Sequence, residues 1–341
     1  MGENKNLFVV YEVDTSLAVS TESTGAKPKY WIRLETSQDL LLFKSGRRIT
    51  GQSELSVELT GEDWAEKIAC EICQVLGIPH VHYDLAVELQ TGIVGTVCRN
   101  IARRQGNRDN NSLNLGLESI PSENAAELIL GNVLLSKAIE SYLENPANKF
   151  KASQHTVAAV AESLSSLKSP LDRYCEDLPV GVESAIEVFI GYVMLDALVA
   201  NQDRHHENWG ALKQEGQLSL APTFDHGAAL GRNERDSKRS RILDGQDSRL
   251  TIDSYAVKAR SAFYGEQSSV KPLGTLEAFL RFAQLSPKAA KAWQGRLEGL
   301  TPEVLESIVD RIPAERMSDM ARRFTIELVK FNRSRIMGLR F

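Results

Sequence analysis

The chain has 341 residues, 42% of them hydrophobic and 25% charged, and a formal net charge of -5. That length is too great for one small core and suits one large domain or two lobes. The composition is that of a soluble globular protein, and the acidic balance argues against a chain whose main task is to coat nucleic acid. Cys70, Cys73, Cys98 and Cys175 are too sparse for a disulfide framework. Cys70 and Cys73 lie three apart, with no second pair and no suitable histidine, and read as packing residues. The N-terminus has no basic region leading into an apolar stretch. No segment reaches the roughly twenty apolar residues of a membrane span, so a cytoplasmic protein is expected.

Leu7 to Val13 reads as a strand, followed by a polar small-residue stretch from Ala18 to Lys29. Tyr30 to Leu34 and Leu40 to Lys44 read as a hairpin. Gly61 to Gly77 has helical spacing at Trp64, Ile68, Ile72, Val75 and Leu76, and Gly77 and Pro79 stop it. Two more strands follow, in HYDLAVEL and GIVGTVCRNI. The polar, asparagine-rich run from Ala102 to Gly116 reads as an irregular connection. Beyond it the chain turns helical. One helix is expected over ENAAELILGNVLLSKAIESYL and another over HTVAAVAESLSSL. Val182 to Ala200 is apolar almost all round, which marks a central helix with neighbours on most sides. A strand pair, a charged stretch GRNERDSKRSRILDGQD, and helices near 275–296, 302–312 and 315–336 complete the chain. The fold class expected is α+β: a small β-rich lobe over 1–100 and a larger, mainly helical lobe over 101–341.

Two polar motifs follow the apolar helix. Asp203 and Asn208 lie five apart in NQDRHHENWG, and Asp225 follows within FDHGAALG. An acid to orient a hydroxyl, with an asparagine and a second acid to hold Mg²⁺, are the ingredients of phosphoryl transfer, and amide and carboxylate oxygens suit that hard cation. Lys44, at the end of a strand, can be fixed by the sheet to meet the phosphates. Glu66 in the next helix can pair with it, against rivals Glu62, Asp63 and Glu71. Gly25 permits close backbone approach in the stretch from Ser20 to Lys29, and Lys27 and Lys29 add positive charge there. His205, His206 and His226 beside Asp203 and Asp225 also allow a zinc or dinuclear hydrolase site. That alternative leaves Asn208 and the Lys44–Glu66 pair without a purpose.

At these residues the sequence resembles the HipA-like kinase family, and its catalytic loop is also similar to that of phosphatidylinositol 3- and 4-kinases. LDALVANQDRHHENWGAL is similar to the family's catalytic loop and APTFDHGAALG to its metal-binding motif. STGAKPKYWI is similar to its phosphate loop and AEKIACEICQVLGIP to its small-lobe helix. The resemblance implies a two-lobed protein kinase-like fold and a serine/threonine-protein kinase using ATP and Mg²⁺. It implies Asp203 as the catalytic aspartate, Arg204 as stabiliser of the loop, and His205 as a support of the loop or a neighbour of the γ-phosphate. Asn208 and Asp225 would bind magnesium. Lys44 would contact phosphates with Glu66 as partner. Ser23, Gly25, Ala26, Lys27 and Lys29 would cover the phosphates, and the backbone from Val97 to Arg99 would meet adenine. A protein substrate and a regulatory or antitoxin-like partner are implied too. About twenty residues precede the phosphate loop, where the larger toxins carry a further subdomain, so a core-only version is expected. A lipid or small-molecule kinase, nucleotidyl transfer and a nucleotide-binding pseudokinase are the alternatives. His226 reads as structural and Trp209 as core. The basic cluster Lys238, Arg239 and Arg241 reads equally as a substrate-binding segment or a solvated loop; its neighbours Asp236, Asp244 and Asp247 argue against a nucleic-acid stripe.

Overall fold

A computed structural model describes residues 6–22, 29–33, 40–46, 48–50, 57–101, 126–139, 142 and 152–341. The N-terminal part carries strands β1 (Val10–Val13), β2 (Ser20–Glu22), β3 (Lys29–Arg33), β4 (Leu40–Ser45), β5 (Arg48–Thr50) and β6 (Val57–Leu59). Helix α1 (Glu62–Leu76) and strands β7 (Tyr83–Glu88) and β8 (Val94–Arg99) complete it. The larger part begins with β9 (Glu127–Leu130), α2 (Gly131–Ala138), α3 (Val157–Ser165) and α4 (Ala185–Val199), then β10 (Gly210–Gln214) and β11 (Gln217–Leu220). It ends with α5 (Asp236–Asp244), α6 (Ile252–Lys258), α7 (Thr275–Ala283), α8 (Pro287–Arg296), α9 (Pro302–Asp310) and α10 (Asp319–Met337). The architecture is the expected α+β, a β-sheet region followed by a larger helical one.

Among the described residues the main sheet runs β1-β7-β8-β4-β3-β2. Strands β3 and β4 form the expected antiparallel hairpin, with Lys29 opposite Lys44 and Ile32 opposite Leu41. Side chains alternate across a strand. Leu41 and Phe43 therefore join Val13, Ile32, Ala86 and Val97 in a cluster on one face, while Leu42 and Lys44 line a cleft on the other. Helix α1 covers that second face, packing on β7 and β8 and also on α9. Glu62 and Asp63 sit in its first turn, where carboxylates complement the helix dipole. Gly77 ends it at φ 69°, and a Cβ there would lie 2.2 Å from the Asp177 carbonyl oxygen, so both backbone and space require glycine. Trp64, Ile68, Ile72 and Leu76 enter the main core, which α4 centres.

Helix α4 starts with a capping box, Ser184 and Glu187 each accepting from the other's backbone. Every residue from Val188 to Val199 is buried. α3, α7, α8 and α10 surround it, which is the physical reason its sequence shows no polar face.

Several expectations from sequence are corrected. The helix expected over 123–143 is instead β9 followed by α2. Leu128 pairs with Leu212 and Leu130 with Gly210, a long-range ladder that overrides local helical periodicity. The polar stretch from Ala18 contains strand β2, paired with β3. The expected helix at 275–296 is two helices, because Ser286 caps α8 and Pro287 occupies its first turn. The charged stretch after Gly231 holds α5, and α6 had no counterpart in the sequence reading. The connection at 102–116 lies outside the described residues. The four cysteines are unpaired, three of them buried. Among the described residues no helix is long and apolar enough to cross a membrane.

Candidate functional site

Lys44 projects from β4 onto α1 and the FDHG turn. Its Nζ lies 2.9 Å from Asp225 Oδ1 and 3.4 Å from Glu66 Oε2, and 5.2 Å from the centroid of the Tyr83 ring. Burial alone would lower the Lys44 pKa, but Asp225 and Glu66 outweigh it and hold the ammonium well above its usual value. Burial acts upward on Glu66, and Lys44 with the His226 contact reverses it to a lowered pKa. The pair is therefore a charged one. The rival acids of α1 are occupied elsewhere: Glu62 meets Arg232, Asp63 meets Arg316 at 2.9 Å, and Glu71 meets Lys67 at 2.7 Å. Glu66 also accepts the backbone N–H groups of His226 (2.7 Å) and Gly227 (3.1 Å). One carboxylate thus holds the lysine and the turn that presents Asp225. That turn places Asp225 at φ 61°, a left-handed conformation that aspartate tolerates better than most residues.

The loop after α4 is braced from beneath. Ala200 leaves the helix at φ 52°. Asp196, in the last turn, accepts from Arg204 through both oxygens, at 2.7 Å and 2.8 Å, and from the Asn201 amide at 2.8 Å. Arg204 is almost fully buried and also donates to the carbonyls of Asn208 (3.0 Å) and Phe224 (3.4 Å). Burial pushes its pKa down, yet Asp196 holds it above the usual arginine value. Arg204 thereby ties the loop after α4 to the segment leading into Asp225. Asn208 Nδ2 donates to the Asp203 carbonyl at 2.6 Å. His205 Nδ1 accepts from the Glu207 N–H at 3.1 Å, so its proton sits on Nε2, 3.7 Å from Asp203 Oδ1. Asp203 itself is 40% exposed.

These residues border one cleft of about 930 Å³, which Lys29, Lys44, Glu66, Asp203, His205, Asn208 and Asp225 all line. Its apolar wall includes Leu42, Val81, Ile101 and Phe224. The Val97 side chain points into the opposite cluster, while Thr96, Cys98 and Arg99 of the same segment line the cleft. Arg204 lies beneath the loop. Ser23, Gly25, Ala26 and Lys27 lie outside the described residues. His226 is buried, its Nε2 2.9 Å from Thr223 Oγ1, and burial lowers its pKa. His206 meets the Tyr142 hydroxyl at 2.9 Å. Trp209 is core, donating to His155 Nε2 at 3.1 Å. Lys238 pairs with Glu234, and Arg239 with Asp236. Sequence reasoning missed Asp196, Asn201 and Tyr83. An aspartate in the last turn of a helix apolar since Glu187 was the signal available for the first.

No protein-family model matches the chain, and no curated protein sequence matches it. Solved structures do. The Helicobacter pylori proinflammatory kinase CtkA matches with a TM-score of 0.63 and 18% identity, over 91% of this chain and 91% of that one. HipA from Shewanella oneidensis MR-1, in a toxin–antitoxin complex of HipA, HipB and operator DNA, matches with a TM-score of 0.48 and 12% identity, over 95% of this chain and 66% of that one. At 18% identity the likeness to CtkA is one of fold: the chain has a two-lobed kinase-like fold.

Proposed function

We propose that the chain is an ATP- and Mg²⁺-dependent kinase that transfers a γ-phosphoryl group to a serine or threonine hydroxyl of a protein. The observation that carries this reading is the joining of Lys44, Glu66 and Asp225 in one charged network on a cleft that Asp203 and Asn208 also line. The donor set fits magnesium, because Asn208 and Asp225 both line the cleft and carry hard oxygens. When bound, the ion would neutralise charge on the phosphates. The Lys44 ammonium would meet nonreacting phosphate oxygens, kept charged and aimed by Glu66. The apolar wall at Leu42, Val81 and Phe224 would exclude water from the base. Asp203 would accept a hydrogen bond from the substrate hydroxyl and orient it for in-line attack. The likeness in fold to the kinase CtkA supports phosphoryl transfer, and the resemblance of the loop sequence to the HipA-like kinases is what supports a protein acceptor.

The test is incubation of the purified chain with γ-labelled ATP and Mg²⁺, alone and with a lysate, beside Asp203→Ala. Label on protein that disappears in the variant supports the proposal. Label confined to lipids or small molecules replaces the acceptor class. ATP binding without label in any fraction overturns phosphoryl transfer, and α-labelled ATP then tests nucleotidyl transfer.

A further inference from the structure

Between α1 and the segment before β7, among residues that do not line the cleft, lies a cluster with no part in the chemistry above. Cys70 of α1, His80 and His82 each offer a ligand atom, and these atoms all fall within 4.8 Å of one another. The sequence reading takes Cys70 as a packing residue for want of a suitable histidine. The fold supplies two by bringing the segment before β7 against α1. His80 and His82 stand two apart in extended chain, where alternate side chains share a face.

We propose that Cys70, His80 and His82 form a binding site for one divalent transition metal ion of the zinc type. The spacing fits: Cys70 Sγ lies 3.7 Å from His82 Nδ1. A tetrahedral ion with ordinary zinc–sulfur and zinc–nitrogen bonds holds such atoms about 3.6 Å apart. Each histidine already has the outer partner that metal-bound imidazoles use. His80 Nδ1 lies 2.7 Å from the Ile78 carbonyl oxygen and must donate to it, which leaves Nε2 for the ion. His82 turns Nδ1 to the sulfur and Nε2 to Asp84 Oδ1 at 3.4 Å. A carbonyl and a carboxylate in these positions fix the tautomer and raise ligand basicity. The Tyr83 N–H donates to Cys70 Sγ at 3.4 Å, and Lys67 steadies Asp84 at 2.9 Å. One thiolate and two imidazoles select a borderline-soft ion and discriminate against magnesium, so this site is chemically separate from Asn208 and Asp225. His82 is 59% exposed, and a fourth position open to water follows.

The location gives the ion a consequence. Cys70 stands one helical turn from Glu66, and His80 bridges to Thr223, two residues before Asp225. A bound ion would pin α1 to the strand segment behind the FDHG turn.

The test is titration of the full chain, stripped with a chelator, with Co²⁺ followed by absorption. The expected result is one Co²⁺ per chain with a thiolate-to-cobalt charge-transfer band and intense tetrahedral ligand-field bands, both erased by Zn²⁺ and untouched by excess Mg²⁺. Cys70→Ser removes the charge-transfer band and Cys175→Ser keeps it. His82→Ala, at an exposed position that leaves the fold intact, weakens binding about ten-fold or more. If Cys70→Ser fails to fold, His82→Ala carries the test. Absence of the charge-transfer band in the wild type, its survival in Cys70→Ser, or unchanged affinity in a folded His82→Ala protein overturns the proposal.

Discussion

Replacing both members of the buried Arg204–Asp196 pair should damage the protein less than the two single replacements together. Arg204→Met leaves the Asp196 carboxylate buried with the Asn201 amide at 2.8 Å but without its guanidinium. Asp196→Leu leaves the Arg204 guanidinium buried with only the carbonyls of Asn208 and Phe224. Breaking a buried pair from one side costs about 3–5 kcal/mol, because an uncompensated charge stays behind. The double variant Asp196→Leu with Arg204→Met leaves no such charge. Its remaining cost is the loss of donors and acceptors around Asn201, Asn208 and Phe224, about 1–3 kcal/mol for each group left unsatisfied. The cycle should therefore show a coupling energy near the upper end of the usual range, about 3 kcal/mol. Urea denaturation followed by the fluorescence of buried Trp209 and Trp293 gives the four stabilities. Effects that add within about 0.5 kcal/mol would refute the reasoning, and so would a cost of less than about 1 kcal/mol for Arg204→Met. On the proposed function, ATP affinity should not recover in the double variant, since nothing then ties the Asn208 and Phe224 carbonyls together.

On the proposed chemistry, Asp203→Ala should keep ATP binding and lower the rate by about 10²–10⁴-fold, whereas Lys44→Met should weaken nucleotide binding itself; equilibrium binding beside labelled-phosphate transfer separates the two. His155 is buried between Trp209 and the Ala262 carbonyl, and burial lowers its pKa to about 3. The unfolded chain then binds the extra proton below its ordinary value near 6.5. The contribution to stability is intact above that value and falls by about 1.4 kcal/mol per pH unit down to the folded value. His155→Gln should flatten this slope in melts taken between pH 7 and 4. Gly191→Ala should destabilise by about 1–3 kcal/mol despite alanine's better helix propensity, because a Cβ there would lie 2.5 Å from the Trp293 ring; thermal unfolding reads the sign. Ser184→Ala, removing the cap of α4, should cost about 1 kcal/mol in the same assay.

The sequence by itself determined the elements whose signals are local. Helix α1 was legible from apolar spacing and its Gly77 stop, α4 from an apolar run too long for a strand, and the β3–β4 hairpin from two apolar segments around a polar turn. Asp203, Asn208 and Asp225 were legible as candidates because they stand in two short polar motifs directly after an apolar helix. Tertiary structure decided what depends on partners far along the chain. Strand β9 exists because Leu128 meets Leu212, and no window around Leu128 contains that information. Glu66, among four acids of α1, became the partner of Lys44 because Arg232, Arg316 and Lys67 engage the other three. Asp196 became the brace of the loop because α4 buries it beside Arg204 at a cost only that pairing offsets. Cys70 gained two histidines because β7 docks against α1. Periodicity and donor type are local properties that a sequence displays. The neutralisation of a buried charge is a property of three-dimensional neighbours, and folding alone assigns them.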